Sequence, residues 1–333
     1  MRVAITVNKG LARRLFHPDD LEFLMSFASL ERPIEGLPEK LSEDDMRSLL
    51  ADADACIASW GTPRFTEAVL ESAPRLKLIA YSAGSVKPIV SEAVWERGIK
   101  VTTSAPAIAI DVAEFTIGLM IVALKRVLQF GEKTRIGLWR DKVEESKAKE
   151  LYGLKIGIVG AGFVGRNVIR LLKNFEVSIL VYDPYLSEEE AEELGVRKTS
   201  LEELMATSDV VSLHAPSLPQ TYHMIDASKI KLLKDGAILI NTARGALVDE
   251  DALVEELKTG RIFACIDVTD PEPPSPESPL RSLPNVLLTP HIAGSIANGL
   301  HRVGRYAIEE IYRMSRGEPL RYEIRREMLD RMA

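Results

Sequence analysis

The sequence predicts an α/β protein built from two doubly wound parallel-sheet domains. Short apolar strands alternate with amphipathic helices through most of the chain, the pattern of parallel sheets covered on both faces. A length of 333 residues is enough for two separate cores. One of the two alternating regions opens on a glycine fingerprint and the other does not.

The fingerprint organises the chain. A strand, Lys155–Gly160, runs into the turn Gly160-Ala-Gly162-Phe-Val-Gly165. A helix with apolar positions Val168, Ile169, Leu171 and Leu172 follows, then a strand, Val177–Asp183, ending on an acid. Gly160 permits the tight turn, Gly162 lets a pyrophosphate approach the backbone, and Gly165 lets the helix pack closely on the strand. The helix N-terminus offers N–H groups and partial positive charge to phosphates. Asp183 can accept bonds from both adenosine ribose hydroxyls and would repel a 2′-phosphate, so NAD is expected over NADP. A bare GxGxxG run also marks ordinary turns. The strand before it, the helix after it and the acid beyond decide for dinucleotide binding.

Taken in order, strands are expected at Val3–Val7, Ala55–Trp60, Leu76–Tyr81 and Lys100–Thr103. Helices are expected between them at Pro18–Leu30, Glu43–Ala51 (N-capped by Ser42), Thr66–Glu71 and Ile89–Arg97 (stopped by Gly98). This region lacks a glycine fingerprint and reads as a substrate domain. Residues 107 to 126 read as one long helix, too apolar for the surface of a monomer, packed between domains or across a dimer interface, or else buried in one core. Beyond the fingerprint, Ser200 to Glu203 reads as a capping box. Strands follow at Asp209–His214, Ala237–Asn241, Ile262–Val268 and Val286–Thr289, with helices at Ala227–Lys234 and Glu250–Lys258. A last helix, Ser295–Arg316, comes after the second sheet is complete and can return to the first domain. The expected organisation is a flavodoxin-like, discontinuous substrate domain (1–106 and 293–333) with a Rossmann-like nucleotide-binding domain (107–292) inserted in it.

Bulk properties narrow the partners. A formal charge of −7 disfavours nucleic acid or an anionic membrane. No apolar run is expected to approach the ~20 residues that span a bilayer. The N-terminal segment alternates like a strand and is not a signal peptide. Cys56 and Cys265 fall in expected buried strands and read as core residues in a reducing cytoplasm, with no metal or disulfide. The proline-rich segment Asp270–Pro279 reads as a stiff surface loop.

Oxidising a secondary alcohol with NAD needs a base for the hydroxyl proton, a cation for the substrate's anionic group and a group that tunes the base. Such groups sit at the carboxyl ends of parallel strands. Arg244, Glu272 and His291 each lie just past an expected strand of the nucleotide-binding half. Arg244 supplies a planar fork for a carboxylate and the neighbouring carbonyl oxygen. His291 is the natural proton donor and acceptor near neutral pH. Glu272, bonded to the second imidazole nitrogen, would fix the tautomer and stabilise imidazolium. Taken singly, the three are better explained as a turn arginine, a solvated acid and a capped strand end.

Together with the fingerprint and Asp183, the runs Ser212–Pro216, Leu239–Asp249, Cys265–Pro273 and Leu288–Ser295 resemble the NAD-dependent D-isomer-specific 2-hydroxyacid dehydrogenases over nearly the whole length. The resemblance implies Arg244, Glu272 and His291 as the catalytic trio. It implies a cofactor lining of Gly160, Gly162, Phe163, Val164, Gly165, Asp183, His214, Ala215, Pro216, Thr242, Ala243, Arg244, Asp267, His291, Ala293 and Gly294, with Asp267 near the nicotinamide carboxamide. Substrate contacts would come from Trp60, Gly84, Ser85, Arg244 and His291, and the protein would be a cytoplasmic homodimer joined through the nucleotide-binding domain.

Two departures stand out. Lys87 and Pro88 replace an acid-amide pair in the loop Ala83–Pro88, and Trp60 stands about where phosphoglycerate-oxidising members carry an arginine. An indole there suggests a bulkier or less charged substrate, or simple domain packing. The chain ends at Ala333, so the C-terminal regulatory extension of some phosphoglycerate-oxidising members is expected to be missing. The leading expectation is hydride transfer between NAD(H) and a small D-2-hydroxy or 2-keto acid. The alternatives are an NAD(H)-sensing, corepressor-like binding protein and a formate dehydrogenase, against which Glu272 argues, because those members pair the histidine with glutamine.

Overall fold

The computed structural model describes residues 1–139 and 142–332. It divides into two units, Met1–Ile108 with Ser295–Ala333, and Ala109–Gly294. The first unit contains β1 (Arg2–Thr6), β2 (Ser29–Leu30), β3 (Ala55–Ala58), β4 (Leu78–Tyr81) and β5 (Lys100–Thr103). The second contains β6 (Lys155–Val159), β7 (Ser178–Tyr182), β8 (Arg197–Lys198), β9 (Val210–Leu213), β10 (Ile238–Asn241), β11 (Phe263–Ile266) and β12 (Val286–Leu288). The chain then returns to the first unit, where β13 (Glu323–Ile324) closes the edge.

The strand orders are those of two doubly wound sheets. The first runs β2-β1-β3-β4-β5, the flavodoxin order, with β13 added antiparallel on β5. The second runs β8-β7-β6-β9-β10-β11-β12, the Rossmann order with one further strand, and all its pairs are parallel. In both units the strands read as near-continuous apolar runs because helices cover both faces. Val3, Ile5, Ile57, Leu78, Ile79 and Val101 are buried in the first core, and Ile156, Ile158, Val181, Ile238 and Ile240 in the second. Each such side chain contributes about 1.5–3 kcal/mol of burial free energy.

Several local expectations need correction. The helix expected over residues 18–30 spans only Pro18–Met25. Ser29 and Leu30 instead pair with Arg2 and Val3, and edge hydrogen bonds to β1 prevail over the apolar periodicity that suggested a longer helix. The capping box at Ser200 is half formed. Ser200 Oγ accepts from Glu203 N at 3.1 Å, but the Glu203 carboxylate turns to Thr199 and Arg197. Complete capping boxes form at His17 with Asp20, Ser42 with Asp45 and Ser187 with Glu190. The helix Lys9–Leu15, N-capped by Asn8, was not expected, nor were the two-residue strands β2, β8 and β13, which are too short for periodicity to show.

The long helix runs over Ala105–Leu124 and ends where Arg126 takes φ 53°. By length and composition it could cross a membrane, contrary to the expectation that no apolar run approaches that size. Asp111 and Glu114 interrupt its first half. In its second half Leu119, Met120, Ala123 and Leu124 belong to the second unit's own core, which accounts for part of the apolar composition. Cys56 and Cys265 are free, buried and on β3 and β11, and burial pushes both thiols up, Cys265 to about 12.

Candidate active site

In open parallel sheets a ligand binds outside the carboxyl ends of the strands, where the strand order reverses. In the second unit that point lies between β6 and β9. Gly160 follows β6 and His214 follows β9, and the two segments touch. A Cβ on Gly160, whose φ is +97°, would meet Ala215 N at 2.7 Å and the His214 carbonyl carbon at 2.8 Å. A Cβ on Gly165 would fall on the Gly160 carbonyl oxygen. No such obstacle surrounds Gly162, the N-cap of the helix Phe163–Leu172. Its approach is open within 4 Å. That is the space a pyrophosphate requires beside the unpaired N–H groups of the first helical turn.

Asp183, one residue past β7, braces this turn. Its carboxylate accepts from Ala161 N at 2.7 Å and from Tyr185 N at 2.8 Å. A carboxylate has about four acceptor positions, so both oxygens retain capacity for ribose hydroxyls. His214 holds a different position. Its Nε2 lies 2.9 Å from Ser212 Oγ, while Nδ1 is buried with no partner among the described residues. Burial pushes this imidazole down to about 3, so it is neutral at physiological pH.

Arg244 follows β10 through Thr242 and Ala243. Asn241, buried at the end of that strand, staples the loop: its Nδ2 donates to the Arg244 carbonyl at 2.9 Å and its Oδ1 accepts from Ala243 N at 3.1 Å. Thr242 is buried against Thr116, with the hydroxyls 3.1 Å apart. Next in the chain, a Cβ on Gly245 would collide with the Thr269 backbone, so the loop after β10 lies directly on the loop after β11. Solvent reaches the Arg244 side chain, whose Nη1 donates to the Ala243 carbonyl at 2.6 Å. The protein packed around it lowers its pKa by desolvation, and the negative charge of Glu272 opposes this. The guanidinium remains cationic.

Glu272 and His291 meet directly: His291 Nδ1 is 2.7 Å from Glu272 Oε1. The contact engages Nδ1 and not the second imidazole nitrogen. His291 sits at φ 53°, a left-handed backbone uncommon for a residue with a side chain. Asp267, buried just past β11, holds it there. The Asp267 carboxylate accepts from Thr289 Oγ1 at 2.6 Å, Ile292 N at 2.9 Å and Ala293 N at 2.9 Å, and its own carbonyl accepts from His291 N at 2.8 Å. The strain that a left-handed residue stores, about 1–3 kcal/mol, is thus offset by four hydrogen bonds on one residue.

Asp267, Glu272 and His291 line a cavity of about 440 Å³ with Thr269, Pro273 and Thr289. A larger cavity of the same unit, about 840 Å³, is lined by residues such as Arg126, Gly236 and Arg261 and by none of the trio. Among the described residues no group of His, Cys, Asp and Glu could hold a metal ion.

Trp60, Gly84 and Ser85 belong to the first unit, past β3 and β4. The indole of Trp60 is 41% exposed. Sequence reasoning missed Asn241, Thr289 and Gly245. A buried amide at a strand end, a hydroxyl two residues before His291 and a glycine directly after Arg244 were the available signals.

The family model for the D-isomer specific 2-hydroxyacid dehydrogenase NAD binding domain matches residues 117–293. The D-3-phosphoglycerate dehydrogenase of Methanocaldococcus jannaschii is 36% identical over 304 residues, 91% of this chain and 56% of that protein. The hydroxypyruvate reductase of Thermotoga maritima is 35% identical over 283 residues, 84% of this chain and 90% of that protein. The crystal structure of the TT0316 protein from Thermus thermophilus superposes with a TM-score of 0.76 at 31% identity, over 98% of this chain and 100% of that one. The chain spans about half the length of the phosphoglycerate dehydrogenases it matches and most of the reductase. With its fingerprint, strand order and His291–Glu272 pair in place, the chain belongs to the D-isomer specific 2-hydroxyacid dehydrogenase family.

Proposed function

We propose that the protein interconverts a D-2-hydroxy acid and the corresponding 2-keto acid with NAD(H). The observation that carries the reading is the His291 Nδ1 to Glu272 Oε1 contact of 2.7 Å, in one unit with Arg244 and a cofactor cradle. The open approach at Gly162 and the remaining acceptor capacity of Asp183 fit NAD. The N–H groups of Phe163, Val164 and Gly165 would hold the pyrophosphate, and Asp183 the adenosine ribose. The segments His214–Pro216, Thr242–Arg244 and Asp267 with His291–Gly294 would line the rest. When bound, NAD(H) supplies the hydride acceptor or donor.

The chain's own residues do the remainder. Arg244 binds the carboxylate and draws electron density toward the keto oxygen. His291 donates a proton to that oxygen in reduction and removes it in oxidation. Glu272 fixes the tautomer so that the far nitrogen carries or receives that proton, and offsets the imidazolium charge. Asp267 aims the ring by clamping its turn. Residues 1–106 with 293–333 would serve as the substrate domain, with Gly84, Ser85 and Trp60 as its candidate substrate contacts.

Steady-state NADH consumption over a panel of 2-keto acids tests the reading, with NADPH in parallel. Turnover with at least one acid and preference for NADH are expected. A folded, NADH-binding protein that turns over none of them contradicts the activity, and preference for NADPH contradicts the role of Asp183.

We further propose a homodimer. Val127, Leu128, Ile136, Leu138 and Trp139 of the second unit are exposed, Trp139 to 81%, an apolar stretch of the kind that marks an interface. A solution mass twice the 36.9 kDa of one chain is expected, and the mass of one chain contradicts it. The buried free thiols are consistent with a reducing cytoplasm. Recovery from the membrane fraction of disrupted cells would contradict that location.

A further inference from the structure

We propose that Arg281 is a positioning residue: its guanidinium clamps the loop that carries Glu272 and so holds that carboxylate against His291. The proposal rests on the dehydrogenase reading above and deepens it by naming what sets the Glu272–His291 contact.

Glu272 lies near the start of the proline-rich loop Asp270–Pro279, between β11 and β12. Packing does not hold it there. Pro271, Glu272 and Pro273 are all exposed, and the nearest buried residues in the chain are Thr269 before the loop and Leu280 after it. The cavity of about 440 Å³ is lined by Glu272, Pro273 and Pro274 and by Leu288 of β12, so the segment faces a void there instead of core. Its position is therefore set by tethers at its two ends. On the amino side Thr269 Oγ1 donates to the Pro271 carbonyl at 2.9 Å, and Asp270 N donates to Glu250 Oε2 at 3.4 Å. On the carboxyl side Arg281 Nη2 donates to the Pro274 carbonyl at 2.8 Å, and Nε donates to the Ser275 carbonyl at 2.9 Å.

The clamp has a fixed base. Arg281 directly follows Leu280, which is buried in the second unit's core, and Arg281 N donates to the Ser278 carbonyl at 3.1 Å. A guanidinium presents its donors in a rigid fork, which suits two successive carbonyls better than the single point of an ammonium. The segment it grips is stiff. A proline ring locks φ, and of the residues from Pro271 to Pro274 only Glu272 is not a proline. Such a segment moves as one piece, so a tether at the Pro274 carbonyl acts on Glu272, two residues away. The tolerance is small: at 2.7 Å, the His291 contact would no longer be a hydrogen bond after a shift of about 1 Å. Arg281 itself is exposed, so its removal leaves the core intact.

The test measures kcat and KM with a 2-keto acid that the protein accepts, in wild type, Arg281→Ala, Glu272→Ala and the double variant. Arg281→Ala is expected to lower kcat about three- to tenfold with KM near wild type, because a slightly misplaced group slows the chemical step. In the Glu272→Ala background no carboxylate is left to hold, so the same substitution should change kcat by less than about twofold. No loss in the first background, or an equal loss in both, overturns the proposal; the equal loss is what a general loosening of the protein would give. A second readout needs no turnover. Long-range proton–nitrogen correlation of the His291 ring in isotope-labelled protein, assigned by its disappearance in His291→Ala, shows which nitrogen carries the proton. It is recorded at about pH 9, where a free imidazole is neutral. Wild type should show one tautomer, protonated at Nδ1, and Arg281→Ala a mixture of both. If no acid turns over, the dehydrogenase reading fails, while a changed tautomer balance still supports the clamp. An unchanged balance overturns the clamp in either case.

Discussion

The two units share an architecture, an open parallel sheet with its loops at one edge, and equip that edge differently. In the second unit the loops are tied by amide and carboxylate side chains, two of them buried. Asn241 closes the loop before Arg244, Asp267 closes the turn of His291, and Asp183 holds the glycine turn. In the first unit small hydroxyls do the tying, through Ser59, Ser82 and Thr103, while Trp60 is exposed and Lys87 half-buried. One edge holds its titratable and charged side chains through other side chains, as Glu272 holds His291. The other fixes a backbone around Trp60 and Lys87.

That contrast can be broken most sharply at His291. His291→Ala should lower kcat by about 10²–10⁴-fold, the usual worth of a positioned proton donor, while NADH affinity measured by fluorescence stays close to wild type. Near-wild-type turnover would remove the second unit's claim to the chemistry. Glu272→Gln should lower kcat less, by about ten- to a hundredfold, since it replaces a charge-assisted bond of about 1.5–3 kcal/mol with a neutral one. An unchanged kcat would reduce the 2.7 Å contact to a surface pairing.

The smallest effect is on stability and concerns His214. The unfolded chain binds this proton below a pKa of about 6.5, and the folded chain only near 3. Stability therefore falls as pH drops through that window, by about 2 kcal/mol between pH 6.5 and pH 5. In His214→Gln that part of the acid loss should vanish from denaturant unfolding measured at pH 7 and pH 5. An equal loss in both proteins would mean the imidazole is not held neutral by the fold.

The contrast also explains what could be read from the sequence. The second unit was legible because its requirements are met by rare residue types at fixed spacings. Gly160 needs a positive φ, Gly165 needs contact with the Gly160 carbonyl, and an acid must end β7. The trio was legible only as a set, since each member alone has an ordinary explanation. The role of Asp267 was only partly visible. Its position suggested the cofactor, whereas its four bonds to Thr289, His291, Ile292 and Ala293 form between loops that the sequence separates by more than twenty residues. In the first unit the helix limit at Met25 and the edge strand β2 were set by pairing with β1, a contact that local periodicity does not encode.

The most direct measurement is deuteride transfer from NADH labelled at the nicotinamide C4 to a 2-keto acid that the protein accepts, with the product resolved on a chiral column. Deuterium at C2 of the D-hydroxy acid is expected in wild type, and loss of that product in His291→Ala. Product of the L configuration, or an acid that carries no label while NADH is consumed, would contradict it.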